Sequence, residues 1–351
     1  MATKLLLICL VTTMINTPRL ETFLPQITEK EYRNLNMLHY TFLEHFAKNG
    51  LSAFSEKESE VDAYKFGNLI DTMLTHPDDF VNQYYVSTTE KQLTPSQETI
   101  VNDLVETFGT TFSYLLEIPD ENILDVVKIA GVYKNYGDDA LLKAAKSDNC
   151  ISEYACRVQG LGKTIISSAL FDDAQRRISD LLQDERAQIL FDGNIQNVNK
   201  NIEILYQSKF IDEEEKLKAM VDVLYIDHEK QIIIPYDVKT SSMNTWDFNK
   251  AFIRFRYDIQ ADLYSYLIRK FISKHNEYLD YKVLPFTFIV LAPNGHVFAE
   301  YNPEESVDSQ FYKENMNWRQ LYEKAQWHLS TGITNMTQET YENGGVLKLK
   351  L

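Results

Sequence analysis

The sequence predicts an α/β fold, in which a mixed central sheet is flanked by helices and preceded by a helical N-terminal extension. Residues 1–195 carry mainly helical periodicity, whereas strand-like runs separated by long helical segments follow from residue 196 onward. Hydrophobic residues make up 44% of the 351-residue chain and aromatic residues 12%, enough to bury a large core. This composition excludes a disordered chain.

The N-terminal extension contains several segments with the apolar spacing of amphipathic helices. In one of them Thr94 precedes Pro95, and a capping side chain before a proline is a typical start of a helix. The predicted helices cover residues 26–47, 61–74, 94–108, 119–146 and 172–190.

The second part of the chain begins with three strand-like runs joined by charged turns. After a long helix, another apolar strand reverses at Pro293-Asn294-Gly295. We therefore expect a helical part over residues 1–195 that packs on the core, a core over 196–335, and a tail over 336–351. The predicted elements are strands Ile202–Phe210, Lys218–Ile226 and Gln231–Lys239, helix Trp246–Ser273, strands Leu284–Ala292 and His296–Tyr301, and helix Ser306–Leu329.

The net charge of −16 excludes indiscriminate binding to nucleic acid or anionic membranes, although a local basic groove remains compatible with it. The chain has no apolar stretch of transmembrane length. The apolar run Leu5–Val11 resembles a secretory signal without its small-residue cleavage pattern, and a buried helix or strand is favoured. Three cysteines favour a reducing, cytoplasmic compartment over a disulfide framework.

A partial phosphate-loop pattern occurs at Gly162-Lys163-Thr164. The full pattern requires a glycine at the position of Arg157, and it also requires a buried strand immediately before the loop. The preceding segment, 147–157, is polar and interrupted, so we interpret the pattern as an ordinary loop followed by a short strand.

The strongest chemical pattern combines carboxylates and a lysine on neighbouring strands. Asp237 and Lys239 share one face of their strand because strand side chains alternate. Antiparallel pairing through the turn Asp227–Lys230 would bring Asp222 beside Asp237. Two carboxylates that repel each other favour binding of a hard divalent cation such as Mg²⁺ or Mn²⁺. Lys239 could orient or deprotonate a water molecule, or it could stabilise charge on a phosphate. The alternative is an edge Asp and a surface ion pair of little energetic weight.

The following helix adds a polar pair and positive charge. Gln260 and Tyr264 are four residues apart and share a helix face. Residues 239–274 contain seven basic and three acidic side chains, which is typical of a segment that receives a phosphate backbone. The alternative is a solvated helix face.

Together, Asp222, Asp237-x-Lys239 and Gln260-x-x-x-Tyr264 resemble the PD-(D/E)xK nuclease superfamily in its RecB-like branch. They are most similar to phage-type exonuclease VIII (RecE-like) nucleases, and this resemblance implies a restriction-endonuclease-like core. Upstream, Gly67 and the Pro77–Phe80 turn also resemble that family, but Asp71 stands where the family has His.

The resemblance implies a Mg²⁺-dependent exonuclease that digests linear double-stranded DNA from an end and leaves a strand for a recombination-annealing protein. The alternative is a non-catalytic nucleic-acid-binding or scaffold module, which the change at Asp71 favours; the oligomeric state stays open. The resemblance implies metal ligands at Asp71, Asp222, Asp237 and the Val238 carbonyl. It implies catalytic residues at Lys239, Asp222, Asp237 and Glu203. It implies DNA contacts from Gln260, Tyr264, Thr240 and Ser241.

Overall fold

The computed structural model describes residues 19–55, 62–87, 93–193, 201–302 and 310–348, and we number the elements within them in chain order. The strands are β1 Tyr84–Ser87, β2 Thr164–Ser167, β3 Ile202–Asp212, β4 Leu217–Asp227, β5 Ile232–Thr240, β6 Lys282–Val283, β7 Phe286–Ala292 and β8 Gly295–Tyr301. The α-helices are α1 Glu29–Asn34, α2 Tyr40–Asn49, α3 Asp62–Thr75, α4 Phe80–Gln83, α5 Pro95–Phe108, α6 Asp120–Ala130, α7 Asp138–Ala145, α8 Asp148–Gln159, α9 Ser168–Leu181, α10 Glu185–Phe191, α11 Phe248–Arg254, α12 Tyr257–Ile272, α13 Gln310–Glu314, α14 Trp318–Thr331 and α15 Gln338–Glu342.

The chain divides into two compact units, and we describe each by itself. The sheet unit comprises Met1–Gly67 and Arg177–Leu351, and the helical unit comprises Asn68–Arg176. This division differs from the predicted boundary at residue 195. The reason is that N-terminal side chains such as Leu20 and Leu43 belong to the same buried cluster as Phe288 of the sheet.

The sheet unit is built on a mixed central sheet with strand order β3-β4-β5-β7-β8, and β6 pairs beside this path with β5. Strands β5 and β7 run parallel, whereas the pairs β3–β4, β4–β5 and β7–β8 are antiparallel. Helix α12 packs on β4 and β3, and helices α2 and α14 pack on α12. The predicted fold class, a mixed α/β fold with a central sheet flanked by helices, is therefore confirmed at this level.

Several long predicted helices are divided into two. The helix predicted at 26–47 is interrupted where Leu38 forms a parallel bridge to Leu217 at the start of β4. The one at 119–146 ends first at Gly131, which has a φ of 67° that favours glycine. The one at 246–273 breaks at Arg256, with a φ of 52°. Both guanidinium contacts of Arg256 to Asp258 measure 3.0 Å, which stabilises this turn.

The helical unit packs α5, α6, α7 and α8 around a core of its own, which includes Leu104, Ile123 and Tyr154. It also contains the two-stranded parallel sheet of β1 and β2, of which β1 was not predicted. The partial phosphate-loop pattern follows helix α8 rather than a strand, and Lys163 Nζ donates to the carbonyl of Val81 at 2.8 Å. The interpretation as a loop followed by a short strand, β2, is therefore confirmed.

None of the helices in the described ranges combines the length and apolar character that a membrane crossing needs. Cys150 and Cys156 are buried thiols with no disulfide. The apolar run Leu5–Val11, predicted to form a buried helix or strand, lies outside the described residues.

Candidate functional site

The pairing of β4 with β5 brings Asp222, on β4, beside Asp237, on β5. Their antiparallel register pairs Val223 with Tyr236, so the next positions, Asp222 and Asp237, face each other across the two strands. Asp222 Oδ2 accepts a hydrogen bond from the Val238 backbone N–H at 2.8 Å. The predicted pairing of these two strands through their connecting turn is confirmed.

Asp237 lies at the centre of the candidate site. It is 2% exposed. Its Oδ2 lies 2.6 Å from Lys239 Nζ, and its Oδ1 accepts a hydrogen bond from Gln260 Nε2 on α12. A buried carboxylate needs such partners because leaving water otherwise costs several kcal/mol. With Asp222 on the neighbouring strand, Asp237, Lys239 and Gln260 form one group, which we call the contact group.

Lys239 keeps its positive charge in this group. Burial acts to lower the pKa of Lys239, but its electrostatic interactions with Asp237, Tyr257 and Asp222 outweigh burial and hold the pKa above the ordinary lysine value. An ammonium that stays protonated cannot accept a proton from water. A protonated Lys239 is suited to stabilise negative charge, and its role in a reaction stays a prediction.

Tyr257, beside Lys239, and Tyr40, beside Tyr257, were missed in the sequence interpretation. The Tyr257 ring lies 4.9 Å from Lys239 Nζ, at cation–π distance. Tyr40 lies 6.5 Å from Tyr257, ring to ring, and its hydroxyl donates to the carbonyl of Phe255 at 2.7 Å. Tyr257 precedes Gln260 by three residues, and this helical spacing was a usable signal. Tyr40 lies too far along the chain for any local pattern to connect it to the site.

Gln260 and Tyr264 are too buried to form the DNA surface that the resemblance implied. Their exposed fractions are 3% and 9%. Gln260 instead orients Asp237, and its Oε1 is buried with no hydrogen-bond partner among the described residues. Tyr264 packs edge-on against Phe286, with ring centroids 6.1 Å apart. Burial, followed by Tyr32, Asp237 and Asp222, raises the pKa of Tyr264 well above its usual range.

Thr240 and Ser241 lie where β5 ends. Ser241 Oγ donates to the Met243 carbonyl at 3.1 Å and accepts from the Met243 N–H at 3.0 Å. Arg177 Nη1 donates to the carbonyls of Ser241 and Leu291, at 2.8 and 3.0 Å, and so ties the ends of β5 and β7 together. Ser241 therefore organises the loop after Lys239, and a DNA contact from either residue stays a prediction.

Glu203 does not join Asp222 and Asp237. It pairs with Ile226, four residues along β4 from Asp222, a strand distance of about 13 Å. Its Oε2 lies 3.0 Å from His228 Nε2, and its carboxylate accepts the N–H groups of Leu20 and Glu21 at 3.1 and 3.2 Å. The geometry corrects the catalytic assignment, because these contacts commit Glu203 to holding the N-terminal segment.

Asp71 belongs to the helical unit, on helix α3. The Thr75 hydroxyl donates to the Asp71 carbonyl at 2.8 Å, one turn along α3. Burial raises the pKa of Tyr84, and the Asp71 carboxylate adds to this rise. Whether Asp71 shares a metal with Asp222 and Asp237 stays a prediction.

The predicted metal ligands of the sheet unit are oxygen donors. Among the described residues, no group of three or more His, Cys, Asp and Glu side chains is arranged to hold a metal. Asp222, Asp237 and the Val238 carbonyl nevertheless fit Mg²⁺ chemically, because Mg²⁺ commonly takes one or two carboxylates and completes its shell with water and substrate phosphates. Softer metals would require imidazole or thiolate ligands.

The basic segment over residues 239–274 does not form one continuous positive face. Lys250 pairs with Asp247 at 2.6 Å, Arg256 is buried against Asp258, and Lys270 pairs with Asp212. These partners come partly from distant segments, so a local charge count overstated the positive potential of this helix.

Neither a protein-family model nor a curated protein matches the chain. The resemblance to nucleases therefore rests on the residue pattern over 203–264. Within that pattern, the contact group of Asp222, Asp237, Lys239 and Gln260 is the feature with chemical consequences.

Proposed function

We propose that this protein is a Mg²⁺-dependent deoxyribonuclease, with Mn²⁺ as a substitute, that hydrolyses linear double-stranded DNA from an end. The observation that carries the proposal is the placement of Lys239 Nζ 2.6 Å from Asp237, beside Asp222 on the next strand and Gln260 on α12. By family analogy, the remaining strand would serve an annealing protein in phage-type recombination in the host cytoplasm.

Each residue of the contact group has a physical task in this reaction. Asp222, Asp237 and the Val238 carbonyl would hold Mg²⁺, which supplies charge neutralisation and a more acidic bound water when present. Gln260 fixes the orientation of the Asp237 carboxylate. Lys239 places a permanent positive charge where negative charge accumulates on the phosphoryl oxygens during in-line attack by water.

Asp71 is proposed as a further oxygen ligand, in the position where the family has His. An Asp71→Ala protein should then require more Mg²⁺ for cleavage, whereas Asp71→His should retain part of the activity. A Mg²⁺ titration of cleavage rate checks this, with Asp78→Ala, an exposed neighbour, as the control. An unchanged titration for Asp71→Ala would remove Asp71 from the site and leave the rest of the proposal standing.

Digestion of end-labelled linear duplex DNA tests the proposed function. Mg²⁺ should support stepwise loss of the label or shortening of the strand, and a chelator should abolish it. A covalently closed plasmid should survive, because it offers no end. Nicking or linearisation of the closed plasmid would instead indicate an endonuclease, and stable linear DNA at every Mg²⁺ concentration would reject nuclease activity.

A non-catalytic nucleic-acid-binding module is the second candidate, and one observation favours it. Asp237 is already compensated by Lys239 and Gln260, so its burial does not require a bound cation. Calorimetric titration with Mg²⁺ separates the candidates. Heat from Mg²⁺ binding that disappears in Asp222→Asn favours the nuclease, and DNA binding without any Mg²⁺ response favours the module.

A further inference from the structure

The segment that follows β5 presents an exposed surface of mixed aromatic and basic character. Residues 245–255, which include α11, have an inner side where Phe248 and Ala251 are buried. Phe248 contacts Phe288 of the sheet, with ring centroids 6.0 Å apart. We call the solvent side of this segment the outer face; it consists of Trp246, Asn249, Lys250, Ile253, Arg254 and Phe255.

Trp246 is the most conspicuous member of the outer face, because it is 72% exposed. Ile253 and Phe255 are also exposed. Lys250 and Arg254 are four residues apart on α11 and share one of its faces, and Trp246 lies in the 3-10 turn that leads into this helix. Exposed apolar side chains grouped in this way are typical of binding surfaces, whereas single ones are ordinary.

The charge on the outer face is basic, in contrast to the net charge of −16 for the whole chain. Arg254 has no carboxylate partner within the described ranges, and its guanidinium lies 5.5 Å from the centre of the Phe255 ring. Lys48 Nζ lies 5.1 Å from the centre of that ring and pairs with Glu44, but the Lys48 side chain is 38% exposed. Lys250 pairs with Asp247 but is 76% exposed, and a pair so open to water is weak.

The outer face is fixed in place beside the candidate site. Thr245 N–H donates to Asn294 Oδ1 at 2.9 Å, which anchors the start of the segment to the β7–β8 turn. On the inner side, Phe248 stacks with Tyr257 at 5.9 Å between ring centroids. Tyr257 in turn contacts Lys239. The rings of Phe248 and Tyr257 would thus lie between a ligand on the outer face and Lys239.

We infer that the outer face binds an unpaired DNA strand, with a base stacked on Trp246 and phosphates contacting Arg254, Lys250 and Lys48. A single strand is favoured over duplex DNA because only unstacked bases expose a flat face to an aromatic side chain. The positive charges meet the phosphates, which a largely acidic chain would otherwise repel. The inference deepens the proposed function, on which it rests, because end digestion produces unpaired DNA beside the site.

Binding of a twelve-residue oligothymidylate to the full chain, with chelator present to prevent cleavage, tests this inference. Stacking should quench the fluorescence of Trp246, and labelled oligonucleotide should show the affinity by anisotropy. Trp246→Ala should weaken binding about tenfold or more, whereas Trp246→Phe should retain most of it. Arg254→Gln should lower the salt dependence of log affinity by about 0.7 for the charge removed. Tyr341→Ala, which removes another exposed aromatic, is the matched control.

Equal affinity of the wild-type and Trp246→Ala proteins would overturn the inference, as would an absence of oligothymidylate binding. Tighter binding of a blunt duplex, unaffected by Trp246→Ala, would also overturn it. If these substitutions left DNA binding intact but abolished binding of a protein, the face would be a protein interface instead. Because the assay needs no hydrolysis, oligothymidylate binding without Mg²⁺-dependent cleavage would reject the proposed nuclease and leave this surface assigned.

Discussion

Lys239 Nζ lies 2.6 Å from Asp237 Oδ2, on the same face of β5 and two residues further along the chain. Asp237 is buried, and its second oxygen accepts from Gln260. This ion pair balances the repulsion that Asp222 and Asp237 would otherwise exert on each other. The site is therefore stable as a charged group, and it presents a cation next to two carboxylate oxygens.

Replacing Asp237 with Asn should destabilise the protein in the absence of metal. Relief of repulsion with Asp222 alone would predict a gain, but the change also leaves Lys239 without its closest carboxylate. Removing one member of a buried pair should lower the free energy of unfolding by about 2–3 kcal/mol. Urea denaturation with chelator measures this, and Asp280→Asn on the surface is the control. A more stable Asp237→Asn protein would show that repulsion between Asp222 and Asp237 outweighs the ion pair with Lys239.

Gln260→Ala should impair cleavage more than folding. The change removes the donor to Asp237 Oδ1, but glutamine and alanine have similar helix propensities. We expect a cleavage rate lowered about tenfold and a loss of about 1–2 kcal/mol in unfolding free energy. Ser265→Ala, also buried on α12, controls for truncation of a polar side chain there. An insoluble Gln260→Ala protein beside a folded Ser265→Ala protein would assign Gln260 to the core instead.

Glu203→Ala should lower stability and leave cleavage unchanged, which is the opposite of the result expected for Gln260→Ala. The carboxylate contacts His228 and the backbone of Leu20 and Glu21 beside the C-terminal end of β4, whereas Asp222 lies in the middle of that strand. Loss of this carboxylate should lower the free energy of unfolding by about 3 kcal/mol, because buried donors remain without an acceptor. Cleavage measured well below the melting temperature should stay near the wild-type rate, as it should for the exposed control Glu277→Ala. A stable but inactive Glu203→Ala protein would restore its catalytic assignment.

Asp262 should make stability decrease as the pH rises. Burial, and then the Asp258 charge, raises the pKa of Asp262 to about 7, against an opposing effect of Arg269. The folded chain then holds a proton that the unfolded chain releases from about pH 4 upward, so stability falls between about pH 4 and 7 and levels off above. Asp262→Asn should remove this slope and be more stable than wild type at pH 8. Urea midpoints at pH 5 and 8 check this, and an unchanged slope would contradict it.

The strands and the group around Asp237 were accessible from the sequence because both depend on short spacings. Alternation of side chains places Asp237 with Lys239, and a four-residue turn sets the pairing of β4 with β5. Five helices were predicted without their breaks, over residues 26–47, 119–146, 172–190, 246–273 and 306–329. At Arg256 the turn is stabilised by Asp258 and also by a contact with the carbonyl of Met316, 60 residues away, and the distant contact is in no local pattern.

The rest of the site depends on contacts between distant segments. Tyr40 reaches Phe255 across 215 residues, so nothing near Tyr40 indicates its place. Glu203 carries the residue type and strand face of a ligand, but its position along β4 follows from the register of β3. Lys270 contributed to the predicted basic segment, and its partner Asp212 lies on a strand 58 residues earlier.

The cleavage rate of Lys239→Ala on end-labelled linear duplex DNA, at saturating Mg²⁺, tests the central claim most directly. In the proposed reaction the Lys239 ammonium stabilises the transition state, so we predict a rate lowered by about 100- to 1000-fold in a protein that stays folded by circular dichroism. Lys282→Ala, an exposed lysine of the same sheet, should cleave at the wild-type rate. Wild-type cleavage by a folded Lys239→Ala protein would contradict the assignment of this site.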